Sequence, residues 1–121
     1  MPQDFKNLEV WKLAYEFTKE IYKITKKFPK EEIYAMTSQI QRASYSIPVN
    51  IAEGSGRHTN DSFKSFLSNA QGSCKEVECF LMLARDFSYI SQFEFTQLNE
   101  KLDHIGRMLT NLMKSLGEKN D

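Results

Sequence analysis

Arg42, Ser46, Asn50 and Glu53 follow one another at steps of three or four residues. A helix over this stretch lines a guanidinium, a hydroxyl, an amide and a carboxylate along one edge. Such a row has two uses: it specifies how helices pair, or it faces a ligand. If the next helix folds back as an antiparallel hairpin, Arg42 stands level with Glu76, Ser46 with Ser73, and Asn50 with Asn69. The expected contacts are an Arg42–Glu76 salt bridge and hydroxyl and amide contacts nearer the turn, with Gly72 letting the backbones approach. Interior polar groups need partners and are best attested as register devices, so packing is the preferred reading. No exposed nucleophile accompanies the row, and no reaction can be read from it.

Other chemistry is sparse. Di-iron bundles need Glu-x-x-His pairs on two helices, and the chain has none. Glu100 and His104 are four apart, but two ligands do not make a metal site. Gly54-Ser55-Gly56-Arg57 is too short for a phosphate-cradling loop and follows a helix rather than a strand. With His58 and His104 as the only histidines, a hydrolytic triad has little support. The expectation is therefore no catalytic residue, no metal and no cofactor. Lys19, Lys23, Lys26, Lys27 and Lys30 cluster at the end of the first helix and beyond, where they could meet phosphates. Lys23, Lys26 and Lys27, with Arg57 and His58 at the next turn, are the candidate nucleic-acid contacts. Cations also stabilise a helix carboxyl end, and a solvated surface is the preferred reading.

These side chains need four helices to position them. The first is expected from an N-cap at Asn7 to about Lys27, with Val10, Ala14, Phe17, Ile21, Ile24 and Phe28 as its seam. Pro29 suits the first turn of a second helix, with seam residues Ile33, Met36, Ile40, Ala43, Ile47 and Asn50 and a stop at Gly54 and Gly56. Thr59, Asn60 and Asp61 offer caps for the third, whose seam is Phe63, Leu67, Ala70, Cys74, Val77, Leu81 and Ala84. Ser91-Gln92-Phe93-Glu94 has the form of a capping box. Leu98, Leu102, Ile105, Leu109, Leu112 and Leu116 then form the fourth stripe, ended by Gly117 ahead of a frayed tail at Glu118–Asp121.

Steps averaging 3.5 residues imply shallow left-handed packing, and short connections force neighbours antiparallel. The expectation is one all-α domain over 1–121: an up-down-up-down left-handed four-helix bundle, its second helix kinked near Pro48. That proline should free the carbonyl of Ser44, at a cost of about 3 kcal/mol. Wrapping the helix around the core is the preferred reason for the kink.

The 121 residues hold 16 basic and 16 acidic side chains, so no global field draws the chain to nucleic acid or an anionic membrane. No apolar run approaches the roughly 20 residues of a bilayer span, and the amino terminus lacks an apolar signal core. Cys74 and Cys79 point in different directions from one helix, which suits reduced thiols in the cytoplasm.

Apolar surface is in excess. Leu8, Trp11, Tyr15, Thr18 and Tyr22 form a second stripe on helix one, widening its apolar face beyond the ~100° arc a bundle helix ordinarily buries. Phe80-Leu81-Met82-Leu83-Ala84 is apolar on every side of helix three. Self-association through Trp11, Tyr15, Tyr22, Phe80 and Leu83, in a closed ring or dimer, is the economical way to cover both.

Leu8-Glu-Val-Trp11-Lys-Leu-Ala14, Phe28-Pro29, Gln39-Ile-x-Arg42-Ala-x-x-Ser46-Ile47, Asn50-Ile-Ala-Glu53-Gly54-x-Gly56-Arg57 and Phe66-Leu67-x-x-Ala70-x-Gly72-Ser73-x-x-Glu76 make a combined pattern. It resembles the bacterial four-helix bundle proteins encoded within intervening sequences of 23S ribosomal RNA genes, over about residues 5–90. The resemblance implies a small antiparallel bundle that assembles into a homopentameric ring, with no established biochemical role. It singles out Arg42, Ser46, Asn50, Glu53, Gly54, Arg57, Ser73 and Glu76 as motif positions. A branch similar in fold, the accessory proteins of diversity-generating retroelements, is strongly basic and binds nucleic acid and a reverse transcriptase; this chain lacks that excess of positive charge. The expected function is a non-enzymatic, self-assembling scaffold or adaptor. The alternative is a nucleic-acid-binding accessory protein for RNA or a reverse transcriptase.

Overall fold

The computed structural model describes residues 4–117 and contains four α-helices and, among those residues, no strand. They are α1 (Glu9–Ile24), α2 (Met36–Ser55), α3 (Asn60–Asp86) and α4 (Gln92–Ser115). The core is built from the expected seams. Val10, Ala14, Phe17 and Ile21 of α1, all seven seam residues of α3, and Leu98, Leu102, Ile105 and Leu109 of α4 are buried.

Helix ends depart from expectation where local hydrogen bonds compete. Asp4, rather than Asn7, caps the first turn among the described residues: its carboxylate accepts from the Lys6 N–H at 3.0 Å at the head of a 3-10 turn over Phe5–Asn7. Leu8 then stands at the head of α1 with no side-chain cap. Pro29 does not begin α2 either. A 3-10 turn over Lys30–Glu32 follows it, and α2 starts only at Met36. Glu32 makes this junction, its carboxylate accepting from the Met36 N–H at 3.3 Å and from the Tyr89 hydroxyl at 2.8 Å. Ile33 precedes the first turn of α2 and is 48% exposed, so it leaves the seam in which it was expected.

The α3–α4 turn is held at both ends. Ser88 takes a left-handed conformation (φ 65°), and the Ser88 and Tyr89 N–H groups close back on the Arg85 and Ala84 carbonyls at 2.9 and 2.8 Å. This satisfies the last carbonyls of α3 in the manner of a Schellman motif. The expected capping box opens α4: the Glu94 N–H donates to Ser91 Oγ at 3.0 Å, and the Ser91 N–H to Glu94 Oε1 at 2.9 Å. Gly117 (φ 83°) lies just beyond the end of α4.

Pro48 lies inside α2 and is buried. It cannot donate to the Ser44 carbonyl four residues back, and a buried carbonyl without a partner is costly. The Thr18 hydroxyl of α1 supplies the replacement, 3.1 Å from that carbonyl and 2.9 Å from the Ala14 carbonyl of its own helix. Sequence reasoning found the orphan but not its partner. Ser44 Oγ, fully buried, donates in turn to Thr18 Oγ1 at 3.4 Å.

Candidate functional site

The polar row of α2 separates into three environments. Ser46 meets Ser73 of α3, Oγ to Oγ at 2.5 Å, at the expected height. Asn50 turns back along its own helix, donating to the Ser46 carbonyl at 2.8 Å, while Asn69 is exposed. Arg42, Glu53 and Glu76 are exposed. No ion pair joins Arg42 to Glu76 among the described residues. The row is thus one interhelical hydroxyl contact flanked by solvated charges. It neither seals a buried network nor converges on a ligand.

Gly54 carries the tightest contact in the motif. A Cβ there would stand 2.7 Å from Phe66 Cβ and 2.9 Å from Phe63 Cδ1, so only glycine lets α2 and α3 approach at this point. The expected approach at Gly72 is absent: a Cβ on Gly72 would meet nothing within 4 Å. Arg57, at the turn after α2, lays its guanidinium 4.6 Å above the Phe66 ring, and His58 beside it is exposed. The two motif glycines therefore differ in kind, one at a contact and one on an open helix face.

A broad concavity lies elsewhere, between α1 and α2. It encloses ≈ 820 Å³, and its lining includes Trp11, Tyr15, Tyr22, Tyr45, Val49 and Lys23. Tyr15, Tyr22, Tyr45 and Val49 are 46, 41, 43 and 47% exposed, an open apolar surface on a single chain. Phe5, Trp11 and Tyr15 form a run of rings, 5.0 Å edge-on and then 4.8 Å stacked. Lys19 stands 5.4 Å above the Tyr15 ring and pairs with Glu16 at 3.0 Å. Lys23 and Lys26, also on the groove, pair with no carboxylate among the described residues. Lys27 points away to Glu94, at 2.5 Å. That ammonium, with the Ser91 N–H, holds the Glu94 carboxyl below its ordinary value.

Sequence reasoning identified the α1 wall of this groove and missed the α2 wall. Tyr45 and Val49 are four apart on α2, and that spacing was the available signal. A second apolar surface lies on α3, where Met82 and Leu83 are 44 and 38% exposed and Phe80 is half-buried.

Among the described residues no group of three or more His, Cys, Asp or Glu side chains is placed to hold a metal ion. Cys74 is buried, and burial pushes its thiol up to about 12, which keeps it protonated and unreactive. The Thr37 hydroxyl is buried without a partner beside a hollow of ≈ 340 Å³, which neither histidine lines.

Comparison with known proteins matches residues 6–111 to the family model of the 23S rRNA-intervening sequence protein. The chain belongs to that family. A crystal structure similar to this fold is a protein of unknown function from the S23 ribosomal protein family of Bacteroides thetaiotaomicron VPI-5482. The TM-score is 0.78 and the identity 26%, over 87% of this chain and 98% of the other. Curated proteins give no match. In this member of the 23S rRNA-intervening sequence protein family, the motif positions Ser46, Ser73 and Gly54 all make contacts between α2 and α3.

Proposed function

We propose that the chain is a non-enzymatic, self-assembling helical bundle that serves as a scaffold or adaptor, its subunits arranged as a homo-oligomeric ring. The observation that carries this reading is the open aromatic groove between α1 and α2, together with the exposed apolar edge of α3. Exposed apolar patches of this kind are covered by a partner in stable proteins. The family resemblance favours five subunits. Within each subunit the helices run up-down-up-down as one antiparallel, left-handed domain. Supporting this are Thr18–Ser44 with Thr25–Gln41, and Glu20–Lys101 with Lys27–Glu94: in each set, going forward along α1 and the turn after it goes backward along the partner helix. Pro48 kinks α2 to fit it around the core, and the Thr18 contact to the freed Ser44 carbonyl supports that kink. No helix among the described residues is long and apolar enough to cross a membrane, and two free cysteines fit a reducing cytoplasm.

The test is the mass of a Tyr22→Glu variant in light scattering, with helicity followed by circular dichroism. A charge on the groove wall is expected to lower the mass while helicity is kept. An unchanged mass overturns the assignment of this groove to assembly.

A second reading has one observation in its favour: the groove combines stacking-competent rings with Lys23 and Lys26 and has no carboxylate in its lining. Aromatic platforms beside lysines suit single-stranded nucleic acid. This reading makes the chain an accessory protein for RNA or a reverse transcriptase. It predicts affinity for RNA that falls steeply with salt and weakens in Lys23→Gln/Lys26→Gln. Absent or salt-independent binding removes it.

A further inference from the structure

The α1–α2 groove and the α3 edge differ in shape and in charge. Glu76, Phe80 and Leu83 stand at i, i+4 and i+7 on α3, so they form one ridge about 10 Å long at 1.5 Å rise per residue. Glu76 heads that ridge and pairs with no cation among the described residues. The groove is the reverse: concave, aromatic, and bearing the unpaired Lys23 and Lys26 at the carboxyl end of α1. From Tyr15 to Ile24 it runs about 14 Å along α1 and continues into the 3-10 turn that carries Lys26, long enough to take the ridge.

We propose that the occupant of the groove is the α3 ridge of a second copy of this chain. In that pose Glu76 lies against Lys23 and Lys26, Phe80 and Leu83 enter among Tyr22, Tyr15 and Val49, and the incoming α3 runs antiparallel to α1. This is helix-in-groove docking with anchors at i, i+4 and i+7. The contact joins two different surfaces, so every docked subunit still offers one free groove and one free ridge. Such head-to-tail contacts close into rings or extend as filaments, whereas groove-to-groove pairing stops at a dimer. The charge arrangement selects the head-to-tail mode. Groove on groove or ridge on ridge gives the lysines and Glu76 no opposite charge, whereas head-to-tail docking sets them against each other.

The inference rests on self-assembly, and one experiment separates its failure from the failure of that reading. Val49→Glu blocks the groove and leaves the ridge intact; Leu83→Arg blocks the ridge and leaves the groove intact. Each variant alone is expected to run as a single chain in sedimentation velocity. Mixed one to one, they should give a species of twice the chain mass that grows no further, because the only surviving ridge fits the only surviving groove. If the wild type is itself a single chain, self-assembly falls and the docking mode with it. If the wild type assembles while the mixture stays monomeric, or Leu83→Arg alone keeps the wild-type mass, the head-to-tail mode alone is overturned.

A charge exchange decides the matter should either substitution unfold the chain. Glu76→Lys and Lys23→Glu/Lys26→Glu should each weaken assembly about tenfold, and combining the three in one chain should restore it. Additive weakening in the combined variant overturns the pairing.

Discussion

At the scale of single residues, two motif glycines that look alike in the sequence do opposite things. Gly54 lies against Phe66 and Phe63, so Gly54→Ala should overpack the α2–α3 contact and cost about 1–3 kcal/mol in urea unfolding. Gly72 faces open space on an exposed helix surface, so Gly72→Ala should stabilise by about 0.5–1 kcal/mol through helix propensity alone. Equal effects would contradict the contact geometry. The cysteines divide similarly. Cys79 is exposed, while Cys74 is buried with its thiol pushed up to about 12. Iodoacetamide should therefore label one thiol per folded chain, and the second only under denaturant. Two labels on the native protein would show that α3 opens.

At the scale of elements, the start of α4 carries a pH-sensitive contact. Glu94 closes the capping box of α4 and also pairs with Lys27, which follows α1. Its carboxyl is held below the ordinary value, first by the Lys27 ammonium and then by the Ser91 N–H. A folded-state pKa below the unfolded one contributes stability that is present above the unfolded value, about 4.3, and lost as pH falls through the folded value. The stability gap between wild type and Glu94→Gln, measured by urea unfolding, should thus narrow as pH drops below that range. A gap independent of pH would mean that Lys27 and Ser91 do not engage the carboxylate.

The seams were legible in the sequence because burial at steps of three and four is a long, repeated signal. The α3 seam and the Ser91–Glu94 box were both read correctly. The junction before α2 was not, because it depends on Glu32 receiving the Tyr89 hydroxyl from a residue far along the chain. The polar row was half legible. Hairpin register placed Ser46 opposite Ser73, but register alone does not say that Asn50 has a nearer acceptor in its own helix. For the same reason Thr18 was read as part of an apolar stripe, although it supplies the hydrogen bond that Pro48 denies to Ser44.

At the scale of the whole molecule, a chain with no net charge carries Lys23 and Lys26 at a concave aromatic surface and Glu76 beside an exposed apolar one. Most of both surfaces lies outside the core: Trp11 and Phe80 pack in part against it, while Tyr15, Tyr22, Tyr45, Val49 and Leu83 do not belong to it. The latter are therefore surplus to folding. Surplus apolar area is retained where something covers it. The most direct test is sedimentation velocity of the wild-type protein, diluted from micromolar to nanomolar at physiological salt. The account predicts a discrete species several times the 14.1 kDa chain mass, with its tyrosines shielded from solvent quenchers until dilution releases single chains. A fully helical species of 14.1 kDa at every concentration, with Tyr15 and Leu83 open to water throughout, would contradict it.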